Sequence, residues 1–104
     1  MAGLGKFLKQ AQKMQAEMTK VQEDLAKREV EGTSGGGAVK AVARCDGSLA
    51  RIKIDPKVID PKDAEMLEDL IVGAVQNALE LAKKTQTEEM NKVTAGMNIP
   101  GMGM

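Results

Sequence analysis

Apolar side chains recur at Phe7, Ala11, Met14, Met18, Val21 and Leu25, spaced 4, 3, 4, 3 and 4 residues apart. That spacing traces one stripe of an α-helix, and it is also an a/d heptad seam. Leu4 and Leu8 widen its start, and no Pro or Gly falls between Lys6 and Glu31, so the pattern predicts a helix over 4–27. The seam lasts about three heptads, the lower limit for a coiled coil, so packing against the rest of the domain fits it equally well.

Beyond Gly32 the period changes to two. Asp46-Gly47 marks a two-residue hairpin turn, which sets Cys45 opposite Ser48. Ala43 then meets Ala50, Ala41 meets Ile52 and Val39 meets Ile54 on an apolar face. The opposite face pairs Arg44 with Leu49, Val42 with Arg51 and Lys40 with Lys53, and is rich in basic residues. An earlier strand pairing across a Gly35-Gly36 turn puts Val30 beside Ala41 and Glu31 beside Lys40. The expected sheet has three antiparallel strands at about 28–33, 38–45 and 48–55, with helices on one face.

Asp60-Pro61 supplies an N-cap followed by proline at the first helical position. Leu67, Leu70, Ile71, Ala74, Val75, Ala78, Leu81 and Ala82 continue at helical spacing, predicting a second helix over 61–95 with Gly96 as its stop. Gly73 interrupts the stripe at a cost of about 1 kcal/mol against Ala, which points to close approach of another backbone there. Residues 1–96 form one α+β domain in this reading, and 97–104 form a flexible Met/Gly tail. A helix over 62–95 spans roughly 50 Å, whereas a compact chain of this length has a radius of gyration of only about 13 Å. The helix must overhang its own body or pack on another chain, and with the heptad seam this favours a homodimer.

Composition narrows the chemistry. The 104 residues include no His, Trp or Tyr, a single Phe, eight Met and one Cys. Without histidine there is no imidazole shuttle, no Ser-His or Cys-His pair and no ordinary zinc site. Cys45 alone builds no disulfide and suits a reducing compartment, where it is expected buried or beside the turn, with no redox role. No stretch approaches membrane-spanning length and the N-terminus lacks a signal-peptide pattern, so an intracellular protein with no membrane partner is expected. An enzyme, a small-molecule substrate and a cofactor are all disfavoured.

Charge changes the picture once more. Net charge is zero, yet residues 1–53 hold ten basic and six acidic side chains, a net of +4, and 54–104 hold five and nine, a net of −4. Three lysines precede the first acid, Glu17. Lys6, Lys13, Lys20 and Lys27 repeat every seven residues, with Lys9 beside them. Such a stripe can follow a phosphate backbone. On spacing alone, the wet face of a coiled-coil helix is the preferred reading. Lys83, Lys84 and Lys92 form a second basic element with Glu80, Glu88 and Glu89 in pairing distance, and Lys40, Arg44, Arg51 and Lys53 a third on the sheet. Met14, Met18, Met66 and Met90 fit helix seams as core residues. Ser34-Gly35-Gly36-Gly37 lacks the Gly-Lys-Ser/Thr ending of a phosphate loop.

In order and spacing, Leu8-Lys9-Gln10-Ala11-Gln12-Lys13-Met14-Gln15, Glu31-Gly32-Thr33-Ser34-Gly35-Gly36-Gly37, Ile54-Asp55-Pro56, Glu65-Met66-Leu67-Glu68-Asp69-Leu70-Ile71, Thr87-Glu88-Glu89-Met90 and Gly96-Met97 resemble the YbaB/EbfC family of bacterial nucleoid-associated proteins. The resemblance runs from about residue 4 to 102. It implies an α-β-β-β-α protomer, with a three-stranded antiparallel sheet flanked by two long helices, in a tweezers-like homodimer. It further implies duplex-DNA binding in the bacterial cytoplasm at the nucleoid, with no enzymatic activity and no cofactor. Contact through the helical arms carries over to Lys9 and Lys13 and reverses the preference at Lys6, Lys9 and Lys13. The DNA-contacting set is led by Lys6, Lys9 and Lys13, with Lys20, Lys83, Lys84 and Lys92 as secondary members whose neighbouring acids favour a solvated or structural role. The dimer or core seam is Phe7, Ala11, Met14, Met18, Val21 and Leu25. The competing reading is a coiled-coil adaptor that holds a protein partner and touches nucleic acid incidentally.

Overall fold

The computed structural model describes the backbone of residues 2–97 and the side chains of 3–93. Helix α1 (Ala2–Lys27) leads into strand β1 (Glu29–Ser34), a glycine turn (Gly35–Gly37), β2 (Val39–Arg44) and β3 (Leu49–Ile54). Two short 3-10 turns, Pro56–Val58 and Pro61–Asp63, then precede helix α2 (Ala64–Met97). The strands form one antiparallel sheet in the order β1-β2-β3. The fold is the expected α-β-β-β-α arrangement. The expected tail lies outside the described residues from 98 onward.

Small side chains decide how the layers meet. Ala74, Ala78 and Ala82 recur every four residues on α2 and are fully buried, together with Val39, Ala41 and Ala43 of β2. Alanine facing alanine lets the helix axis come close to the sheet. Gly32 of β1 marks the nearest approach, where a Cβ would fall 2.2 Å from the Ala78 nitrogen and 2.6 Å from the Ala74 oxygen. Val30, Ile54, Val58, Leu70, Ile71, Val75 and Leu79 ring this core. Two bonds clamp β1 to the helix: the Ser34 hydroxyl donates to the Leu70 carbonyl, and the Asn77 amide donates to the Thr33 carbonyl at 2.9 Å. The sequence reading put the close approach at Gly73, but the nearest atom to a Cβ there is the Ser34 Cβ at 3.5 Å, an ordinary contact.

The strand register differs from expectation in two places. β1 pairs Val30 with Ala43, Gly32 with Ala41 and Ser34 with Val39, two residues away from the predicted alignment. The loop is longer than a two-residue turn: Gly35, Gly36 and Gly37 all take positive φ, and the Ala38 N–H closes on the Gly35 carbonyl at 3.3 Å. A slip of two leaves every side chain on its expected face.

At the second hairpin, the Gly47 N–H donates to the Arg44 carbonyl and the Arg44 N–H to the Ser48 carbonyl. The loop is therefore Cys45-Asp46-Gly47, with Gly47 at φ 97, a three-residue turn closed by a glycine bulge. Arg44, and not Cys45, faces Ser48, and Ala43 pairs with Leu49 instead of Ala50. Ala50 is left over as a β-bulge, which absorbs the extra loop residue. The predicted pairs Val42–Arg51, Ala41–Ile52, Lys40–Lys53 and Val39–Ile54 are consequently all present.

The way into α2 is stepped. The Asp60 carboxylate accepts from the Lys62 N–H at 2.9 Å and caps a 3-10 turn. Asp63 then accepts from the Met66 N–H at 3.2 Å at the start of the α-helix proper. The helix continues through Gly96, the predicted stop, to Met97. Met66, expected in a seam, is 40% exposed. Cys45 is fully buried, its N–H donating to the Arg28 carbonyl at 2.9 Å.

Candidate nucleic-acid interface

Along α1 the seam residues grade from open to closed. Phe7 is 67% exposed and Ala11 is exposed; Met14, Met18 and Val21 are half-buried; Leu25 is only 3% exposed. The helix thus joins the body through its C-terminal end, and its first half stands away as an arm with Leu4, Phe7 and Leu8 uncovered. Helicity there rests on local spacing, uninterrupted by Pro or Gly from Lys6 onward.

Lys6, Lys9 and Lys13 are exposed on this arm, Lys20 on the docked half of α1, and Lys83 and Lys84 on α2. No ion pair engages any of these six among the described residues. Lys92 differs, because its ammonium lies 3.2 Å from Glu89. Glu89 also accepts from Arg28 at 3.2 Å, which ties the end of α1 to α2. The Lys92 hydrogen bond, followed by Arg28, holds the Glu89 carboxyl below the usual carboxylate range. Arg28 carried no assignment in the sequence reading, because its partner lies 61 residues away and no local spacing connects them.

The sheet face away from α2 holds Lys40, Arg44, Arg51 and Lys53. Arg51 makes two bonds to Glu29, at 2.9 and 3.1 Å. That pairing lowers the Glu29 carboxyl and raises the Arg51 guanidinium, with Arg44 adding a smaller pull on Glu29. In the turn, Ser48 donates twice to Asp46 and lowers its carboxyl. Lys40 and Lys53 are exposed, opposite each other in the ladder, and have no ion pair among the described residues. The described residues contain no cluster of three or more metal-ligating side chains and no helix long and apolar enough to cross a membrane.

The chain is thus an elongated α-β-β-β-α unit with exposed lysines on both helices, a surface suited to polyanions. Residues 1–97 match the YbaB/EbfC DNA-binding family, and the chain belongs to that family. It is 50% identical over 99 residues to nucleoid-associated protein TTE0040 of Caldanaerobacter subterraneus subsp. tengcongensis, covering 95% of this chain and 89% of the relative. A nucleoid-associated protein of Pelotomaculum thermopropionicum is 46% identical, covering 95% and 94%. These names describe DNA binding and nucleoid association, not an enzyme. Among solved structures, the uncharacterized protein HP0035 of Helicobacter pylori has the same fold. Its TM-score is 0.62 at 19% identity, covering 75% of this chain and 90% of that one.

Proposed function

We propose that this chain is a nucleoid-associated protein of the bacterial cytoplasm that binds duplex DNA as a homodimer, mainly through phosphate contacts from basic helical arms. The observation that carries the reading is the free half of α1, where Lys6, Lys9 and Lys13 are exposed, outside any ion pair of the described residues, and precede any acidic residue. Lys20, Lys83 and Lys84 extend the phosphate-binding set, and Lys92 is its weakest member because Glu89 already pairs its ammonium. Sequence preference is weak in this reading, because lysine ammonium groups act as point charges and lack the rigid fork that reads a base edge.

Self-association is supported by the thinness of the single chain. Its radius of gyration is 20.0 Å, against about 13 Å for a compact chain of this length. Among the described residues, five of the eight buried hydrophobic side chains are alanines, which bring little apolar area into the core. Leu4, Phe7 and Leu8 on α1 and Val72 on α2 stay exposed, and a second copy would cover them.

Binding to labelled duplexes of unrelated sequence across a salt series, with the oligomer mass determined in the same buffers, tests the reading. Affinity is expected to fall steeply with salt on every duplex. Lys9→Glu with Lys13→Glu is expected to lower it about 10- to 100-fold near 0.1 M salt on all of them. Unchanged affinity in a folded double variant refutes the arm assignment. The exposed Leu4, Phe7 and Leu8 favour one other reading, a coiled-coil adaptor for a protein partner. Partners retained from extract after nuclease treatment would favour the adaptor.

A further inference from the structure

On the open face of the sheet, cross-strand neighbours form three rows. One row places Glu29 beside Arg44, and the next runs Glu31, Val42, Arg51. In these two rows the charges answer each other, with Glu29 bonded to Arg51 and Glu31 adding to the field on that guanidinium. The third row is Thr33, Lys40, Lys53, and it contains no acid.

Lys40 and Lys53 are directly opposed in an antiparallel ladder, with Cα atoms about 4.5–5.5 Å apart. Like charges in that position destabilise a sheet. Beside them lies an open hollow of about 270 Å³ lined by both lysines, Gly37, Ala38, Ile54, Asp55 and Pro56. Asp55 is the acid in that lining, and its carboxylate accepts from the Lys57 N–H at 3.0 Å. An anion seated between the two ammonium groups would turn the repulsion into a shared attraction.

We infer that Lys40 and Lys53 together hold a backbone phosphate of duplex DNA, at a sheet site separate from the helical lysines; this rests on the duplex binding proposed above. The fold then grips DNA at the body as well as at the arms. Lysine serves here as it does on α1, by charge and not by base recognition.

The test compares the salt dependence of duplex binding in the parent and in Lys40→Gln with Lys53→Gln. Each phosphate that the protein no longer neutralises takes about 0.9 from the slope of log K against log salt, so the slope of the double variant should be shallower by about 0.9 if one copy of the homodimer seats its phosphate and by about 1.8 if both do. Lys40→Arg with Lys53→Arg should keep the slope. Circular dichroism and Tm report folding, and the glutamine variant should hold or raise Tm because the opposed charges are gone. An unchanged slope in a folded glutamine variant overturns the site. If inorganic phosphate raises the Tm of the parent but not of that variant while the duplex slope is unchanged, the pair is a free-anion site and the DNA assignment fails. A parent that binds no duplex at low salt overturns the duplex reading, and this site with it.

Discussion

At the scale of single residues, two glycines make opposite predictions. Gly32 sits beneath α2, where a methyl group would meet the backbone of Ala74 and Ala78 at 2.2 to 2.7 Å. Backbone cannot swing aside as a side-chain tip can, so Gly32→Ala should lift the helix and cost about 2 kcal/mol or more. Gly73 lies within a helix and has room, so Gly73→Ala should stabilise by about 0.5–1 kcal/mol. Denaturant unfolding of the two variants measures both signs. Sequence alone chose the wrong glycine, because a gap in a helical stripe is visible along the chain whereas the crowding over Gly32 arises between residues more than forty positions apart.

The surface carboxylates make a further prediction. Glu29, Asp46 and Glu89 are each lowered, by Arg51, Ser48 and Lys92 respectively. A lowered carboxyl stabilises the fold above its unfolded midpoint and loses that contribution as pH falls through the folded one. Tm should therefore be flat near neutrality, where no histidine titrates, and should fall as the pH drops below the ordinary carboxylate range. A thermal melt series from neutral to acid pH checks this, and high salt should weaken the part owed to Glu29 and Glu89, whose partners are cations near the surface, more than the part owed to Asp46, whose Ser48 donors are neutral.

At the scale of elements, periodicity carried most of the information. The heptad seam located α1, and alternation located β2 and β3 with the correct faces. The pairs Val39–Ile54 to Val42–Arg51 came out as expected although the turn did not, because the bulge at Ala50 offsets the third loop residue at Cys45. β1 was misaligned by two, since three consecutive glycines fix no loop length. The lysines of the candidate interface were readable as positions. The arginine pairings were not: the Glu29–Arg51 and Arg28–Glu89 links depend on register and docking, which local pattern does not encode. One deletion experiment belongs here. Removing Ala50 should leave the distal pairs intact and bring Leu49 toward the apolar face, with cooperative unfolding preserved. Removing Lys53, which lies beyond the bulge, would set Ile54 opposite Lys40 on the charged face and should abolish cooperative unfolding. Thermal melts followed by circular dichroism distinguish the two.

At the scale of the whole molecule, shape is the dominant property. The chain extends 73 × 26 × 16 Å, although its mass is only 11.1 kDa. A long α2, a core closed by alanines and an arm attached at one end produce a thin body whose surface is large for its volume. A protein built this way gains reach at the expense of interior, and in the proposed homodimer the second copy supplies the missing burial.

That extent also sets how much DNA one protomer can occlude. Base pairs stack about 3.4 Å apart, so a 73 Å body lying along the duplex covers about 21 of them, or two helical turns, whereas one crossing it on its 16 Å edge covers about five. Saturation stoichiometry on a long duplex is thus a ruler for orientation. A coverage near two turns per protomer would mean a sheath laid along the axis, and a coverage several-fold smaller would mean a row of clasps set across it.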